Sequence, residues 1–197
     1  MRYSDEDEEK EDKGDVSGAV LERLLKTRTL LVSGGINKSL AERTIRGLLL
    51  LEAEGDAPIK IFIDSPGGDV DAGYAIIDMM NFVKPEVYTV GMGLVASAGA
   101  LILLGAPKER RAGLPNSHYL IHQPLSGLRG VATDIEIHAR ELEKVRSRIN
   151  RFISEETGKP LSQVESDTDR DFWMNADDAV SYGLISRIVT RRTDFPV

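Results

Sequence analysis

The run from Gly93 to Ala106, GLVASAGALILLGA, holds one hydroxyl, Ser97, and neither a charge nor an amide side chain. A serine in such company caps a helix, sits satisfied in a core, or attacks a carbonyl. Ala96, Ala98 and Gly99 are small enough to admit a substrate carbonyl beside it. A helix opening at Ser97 would also set unpaired, partly positive first-turn amides next to the hydroxyl. Amides placed that way can hold an oxyanion. Residue 95 is valine, so the run is not the G-x-S-x-G elbow of an α/β-hydrolase.

A serine nucleophile needs a base, and the base needs a group to orient it. The chain has three histidines. His138 falls among charged residues of a predicted helix and reads as a surface side chain. His118 and His122 share one face of the predicted strand HYLIH by period-two alternation. His122 ends that strand where the chain leaves the sheet at QPLSG, and strand ends are where parallel sheets carry their sites. His122 is therefore the stronger candidate base and His118 the weaker. For the orienting carboxylate, ESDTDRD at 165–171 supplies four, and composition does not choose among them.

The segment DSPGGDV at 64–70 follows a predicted strand. Pro66 fixes φ, while Gly67 and Gly68 allow a backbone to approach closely. The segment is either a tight strand-to-helix turn or a wall of bare amides. Such a wall could pair with an extended peptide and give one N–H to an oxyanion. It lacks the lysine and hydroxyl of a phosphate loop.

These residues need an alternating scaffold to hold them. Ser39 and Glu42 predict a capping box before a helix ending at Gly55. Strands are predicted at 59–63, 87–90, 118–122 and 184–189. Helices are predicted at Asp71–Val83, stopped by Lys84-Pro85, and at Ser97–Leu104. A long helix opens with Thr133 and Glu136 and ends at Gly158, with Ile135, Ala139, Leu142, Val145, Ile149 and Phe152 as its apolar positions. A short helix follows Asn175 and stops at Gly183. Strands joined by crossover helices predict an α/β fold with parallel pairing. The long helix would span about 37 Å at 1.5 Å per residue and is expected to project beyond the body.

Composition narrows the function. The 197 residues include no cysteine, which excludes disulfides, thiolate metal sites and a cysteine nucleophile. Residues 5–15 carry eight acids against two lysines, −6 of the chain's net −7. The body is thus nearly neutral, with no basic footprint for nucleic acid. The acidic opening, residues 1–16, is expected to be a disordered tail, and 17–197 a single domain. No run reaches the roughly 20 apolar residues of a membrane span. No secretory or transit segment is visible, so a cytoplasmic location is expected.

Four blocks taken together resemble the Clp protease proteolytic subunit: IDSPGGDVDAG, GLVASAGALILLGA, LPNSHYLIHQP with GVATDIEIHARELEKV, and ESDTDRDFWMNADDAVSYGLI. The likeness runs from about Leu21 to Ile188. It implies a ClpP/crotonase-like fold of strand-turn-helix units with a long projecting handle helix. It implies a serine endopeptidase with Ser97 as nucleophile, His122 as general base and acid, and Asp171 as orienter. The amides of Gly68 and Ala98 match the family's oxyanion donors. Gly67, Gly68, Asp69 and Val70 match one edge of the substrate cleft, and a strand after His122 near Leu125 and Ser126 the other. Asp169 and Arg170 match a charged pair across a ring-ring contact, and Phe62 and Leu101 a hydrophobic docking groove.

The resemblance further implies a homo-oligomer of two stacked heptameric rings enclosing the active sites. An ATP-driven AAA+ unfoldase would feed unfolded polypeptides to it. The chain has no Walker A motif, so ATP would belong to that partner; no cofactor or metal is expected in this chain. Two other functions fit parts of the pattern. A crotonase-type enzyme would hold a CoA-thioester enolate on paired amides without needing all three triad residues. A non-catalytic ring subunit would lack one of them. A Ser-Lys signal-peptide-digesting enzyme would bring a membrane anchor, and none is visible.

Overall fold

The computed structural model describes residues 20, 23–127 and 129–195; the acidic tail expected at 1–16 lies outside them. The elements, in chain order, are β1 (Thr29–Ser33), α1 (Lys38–Glu54), β2 (Ile59–Ser65), α2 (Val70–Phe82), β3 (Val87–Ala96), α3 (Ala98–Leu104), β4 (Arg111–Gly113), β5 (His118–Ile121), α4 (Ala132–Thr157), α5 (Leu161–Asp167), β6 (Phe172–Met174), α6 (Ala176–Tyr182) and β7 (Arg187–Ile188). Strands β1, β2, β3, β4 and β7 lie side by side in that order, all parallel. The parallel α/β reading of the sequence holds, with one addition. β5 pairs in parallel with the far half of β3, and β6 pairs antiparallel with β5.

β3 is the branch point. Its first half pairs with β4 through Thr89–Gly91, and its second half pairs with β5 through Leu94–Ala96. The strand expected to stop at residue 90 therefore runs on to Ala96, because a second partner takes over the ladder. Asp64 steadies the handover: its Oδ1 accepts the Leu94 N–H at 3.0 Å. The buried face of β2, Ile59, Ile61 and Ile63, is fully enclosed, as are Ile102, Leu103 and Leu104 of α3. Two layers of apolar side chains thus meet across the sheet, which is what fixes the strand register against slippage.

Some element ends differ from those the sequence predicts. Asn37, not Ser39, caps α1, its side chain accepting the Leu40 N–H at 2.9 Å. Glu42 instead pairs along the helix with Arg46. α4 opens at Ala132 rather than Thr133 and has no side-chain cap; it ends at Gly158, whose φ of 74° is the left-handed helix stop. The strand expected at 184–189 shrinks to Arg187–Ile188, because its partner β4 offers only three residues. α6 has the capping box at Asn175 and the stop at Gly183.

α4 is 26 residues, about 39 Å at 1.5 Å per residue. Only Ile149, Asn150, Ile153 and Thr157 are buried, and residues 132–141 are exposed on every side. Its first half stands clear of the core, as expected, and its last turns are anchored. Arg111 of β4, whose side chain is fully buried, donates to the Ala106 carbonyl at 2.5 Å, to the Glu156 carbonyl at 3.0 Å and to the Glu156 carboxylate. Burial pulls the guanidinium's pKa down, and the adjacent Glu156 charge opposes that shift. A buried cation left alone is costly, so removing Glu156 costs more than the pair itself contributes, and removing Arg111 leaves a cavity and takes the donor from the Ala106 and Glu156 carbonyls. Arg111→Ala is expected to lower stability by about 2 kcal/mol or more, read by urea unfolding. A loss under about 0.5 kcal/mol would show that the apolar packing of α4 suffices to hold it.

Candidate active site

Ser97 sits between β3 and α3 with φ 55° and ψ −123°, a conformation that non-glycine residues seldom adopt. The ladder sets it there: its N–H donates to the Leu120 carbonyl at 2.9 Å, one step beyond the Ala96–Leu120 pair. The chain then reverses abruptly into α3. The reversal is possible because its neighbours lack side chains. A Cβ on Gly67 would lie 2.5 Å from the Ser97 Cβ, and one on Gly99 would lie 3.2 Å from the Ser65 Cβ. The hydroxyl does not cap the helix, and it makes no hydrogen bond to any described residue.

The same register brings His122 close. β5 ends at Ile121, so His122 follows directly where β5 runs beside the end of β3. Ser97 and His122 line one narrow cavity with Val70, Leu101 and Pro124. That cavity is about 10 Å³, room for about one water centre. No hydrogen bond joins the hydroxyl to the imidazole. His118 is exposed on β5, and His138 is exposed on α4; neither enters the cavity.

The antiparallel partner β6 selects the carboxylate. Ile121 pairs with Phe172, so the residues just outside the ladder, His122 and Asp171, face each other. The imidazole Nδ1 and the Asp171 Oδ1 are 3.1 Å apart. A carboxylate only accepts, so the Nδ1 carries the proton and the Nε2 lone pair is left for another group. The other acids of the segment are engaged elsewhere or stand apart. Asp167 takes the Tyr182 hydroxyl at 2.9 Å, Asp169 faces Arg146 at 3.3 Å, and Glu165 is exposed. Burial and the Asp167 carboxylate together push the Tyr182 phenol well above its usual range.

The loop at 67–70 is half occupied. Ile36 pairs with Gly68 as an isolated parallel bridge: its N–H donates to the Gly67 carbonyl at 2.8 Å, and its carbonyl accepts the Asp69 N–H at 2.9 Å. Asp69 also caps α2, its Oδ1 accepting the Ala72 N–H. Gly67 and Asp69 are thus committed within the chain. The amides of Gly68, Val70 and Ala98 donate to no acceptor among the described residues, and Gly68 is exposed. Gly68 has φ 147°, and a Cβ there would meet the Ile36 carbonyl oxygen at 2.2 Å, so only glycine fits.

Of the other expected positions, the cleft edge after His122 and Leu101 stand differently. Residues 122–127 form no strand; Leu125 and Ser126 are exposed irregular backbone, and Pro124 has no N–H to give a ladder. Leu101 is 4% exposed and lies under the Ser97 cavity, so it is core rather than the wall of an outer groove. Phe62 is half-buried on β2. Asp169 is held within the chain, and Arg170 is exposed with no ion pair among the described residues.

Sequence reasoning missed the fastening behind His122 and Asp171. The Gln123 N–H donates to the Thr168 carbonyl at 2.6 Å, and its side-chain amide to the Asp169 carbonyl at 2.7 Å. The Thr168 hydroxyl reaches the Asn150 side chain at 2.8 Å, with both residues buried. An asparagine on the apolar stripe of α4, beside Ile149 and Ile153, was the signal that could have marked it. No group of described His, Asp or Glu residues could hold a metal ion.

The Clp protease family model matches residues 12–192. The chain belongs to the Clp protease family. It is 58% identical over 190 residues to the ATP-dependent Clp protease proteolytic subunit 2 of Treponema denticola, covering 96% of this chain and 95% of that one. It is 48% identical to proteolytic subunit 3 of Rhizobium meliloti, covering 96% and 97%. Among solved structures, a ClpP1 point mutant from Listeria monocytogenes superposes with a TM-score of 0.84 at 47% identity, over 89% of this chain and 99% of that one. The fold is therefore the ClpP/crotonase-like fold, and the chain is a serine peptidase of the Clp type. Among the described residues no helix is long and apolar enough to cross a membrane.

Gly68→Ala is expected to break the Ile36–Gly68 bridge and to cut hydrolysis of a short fluorogenic peptide by about a hundredfold or more. Turnover within a few-fold of the unaltered chain would show that the backbone at 68 takes no part.

Proposed function

We propose that Ser97 is the nucleophile, His122 the general base and acid, and Asp171 the orienter of an endopeptidase acting on unfolded polypeptides. One observation carries this reading: the His122 Nδ1 is hydrogen-bonded to Asp171 while His122 lines the same cavity as Ser97. With Nδ1–H donated to the carboxylate, the Nε2 is the basic atom. It takes the Ser97 proton as Oγ attacks the scissile carbonyl, then passes that proton to the leaving amine. A water repeats the sequence on the acyl-enzyme and frees the second product.

Negative charge on the carbonyl oxygen is met by N–H groups of Gly68 and Ala98, both unpartnered in the free chain. Because neither donates elsewhere, neither must break a bond to serve the oxyanion. Gly68 and Val70 also supply the free backbone groups of one cleft edge, with Gly67 and Asp69 fixing that edge through Ile36. Leu125 and Ser126 supply the other edge when a peptide lies between. Asp171 is 61% exposed, so its pairing with His122 stays weak until water is excluded. Assembly or substrate would provide that exclusion.

The exposed first half of α4, with Ile135 and Ile137 bare and Val131 exposed just before it, supports a handle that packs on another ring. Two stacked heptameric rings would enclose the sites. An AAA+ unfoldase spending ATP would thread unfolded polypeptides in, and the complex would work in the cytoplasm. Asp169 and Arg170 adjoin Asp171 in the chain, so a contact they make across the rings would bear on the catalytic carboxylate.

Ser97→Ala is expected to abolish peptide cleavage with assembly intact, and Asp171→Asn to slow it about a thousandfold or more, by kinetics on a fluorogenic peptide. Undiminished turnover in Ser97→Ala would end the serine assignment. Arg170→Ala is expected to sediment as single rings with little activity. An active double ring would refute the coupling of assembly to the triad.

A further inference from the structure

A second cavity, lined by charged and apolar side chains, lies where α2 meets the anchored half of α4. It is open to solvent and about 680 Å³, within the range of ligand pockets. Tyr74 of α2 forms its floor. The residue is 7% exposed, and its hydroxyl is the buried side-chain polar atom left without a partner among the described residues. Burial pushes this phenol's pKa up, so it stays a neutral donor.

The opposite wall is a face of α4 carrying Ser147, Arg148 and Arg151. The Arg148 guanidinium lies 3.7 Å over the Tyr74 ring, a stacked arrangement that holds the fork in place. The other charges of this stretch are already matched: Lys144 pairs with Glu141, and Glu143 with Arg146. Arg148 and Arg151 form no hydrogen bond or ion pair with any described residue, and Asp78 and Glu155, on the rim, lie beyond ion-pair distance of both. Two unpaired cations three residues apart on a helix repel each other. An anion between them would remove that repulsion.

We infer that this cavity is a binding site for a carboxylate group, held by the stacked Arg148 fork and by Arg151, with the hydroxyl of Ser147 as a further donor. Planar paired donors match a carboxylate bidentately, which a lysine cannot do. The carboxylate comes either from an acidic side chain of a neighbouring copy of this chain or from a small free acid. The site shares no residue with the Ser97 cavity, so it stands whether or not the peptidase roles hold.

The test compares the unaltered chain with the double variants Arg148→Gln, Arg151→Gln and Arg148→Lys, Arg151→Lys. Calorimetric titration with succinate and sedimentation velocity are run on each, with thermal unfolding to confirm folding. If the acid is free, the unaltered chain binds succinate, and both double variants weaken it at least tenfold without altering sedimentation. If the neighbour supplies it, both variants sediment as smaller species at unchanged thermal stability. The inference is overturned if the glutamine variants change neither succinate binding nor sedimentation, or if the lysine variants behave as the unaltered chain.

Discussion

A serine held at positive φ between a strand and a helix is the constraint around which the rest of the chain is arranged. A φ of 55° at a non-glycine residue costs on the order of 1–3 kcal/mol and persists only where the surroundings leave no alternative. Here the surroundings do so from both ends. The Ser97 amide is tied into the β3–β5 ladder, and the residues after it enter a helix whose side chains are all buried. Gly67 lies against Ser97 so closely that no side chain could stand there. The strain turns the hydroxyl out of the helix and leaves the first-turn amide of Ala98 without an acceptor.

The partners of that serine reach it by strand register rather than by proximity in the chain. β3 gives one flank to β4 and then the other stretch of the same strand to β5, which puts residue 122 beside residue 97. β6 then pairs with β5 in the opposite sense, which puts residue 171 beside residue 122. Gln123, Thr168 and buried Asn150 bolt this corner to α4, and Arg111 bolts the end of α4 to β4. The long helix is thus in mechanical contact with the His122–Asp171 corner in its anchored half and free of the core in the other. A contact made along its exposed half has a continuous hydrogen-bonded route to the histidine–aspartate pair.

Much of this was legible beforehand, for identifiable reasons. Elements with strong signals are legible: α6 between Asn175 and Gly183, α4 closed by Gly158, and β2 with isoleucine at every second position from Ile59 to Ile63. Ser97 stood out because it is the only hydroxyl in a buried stretch, and His122 because it ends a strand. Asp171 could not be chosen from four nearby acids by composition, since the choice is made by the β5–β6 register, a long-range pairing invisible locally. Very short strands such as β4 and β6 gave too few residues for a period to emerge. The Asn37 cap was misplaced because Ser39 and Glu42 satisfy the same local pattern two residues later. Ile36, which occupies half of the glycine loop, has no sequence signal at all, because its part is played by backbone alone.

The central claim is that Ser97 attacks and that the amides of Gly68 and Ala98 receive the oxygen. The most direct measurement is a crystal structure of the assembled protein after reaction with a peptide boronic acid. The account predicts a bond from Ser97 Oγ to boron, with one boronate oxygen about 2.7–3.1 Å from both amides and the imidazole of His122 alongside. A covalent bond to any other residue, or a boronate oxygen turned away from both amides, would contradict it.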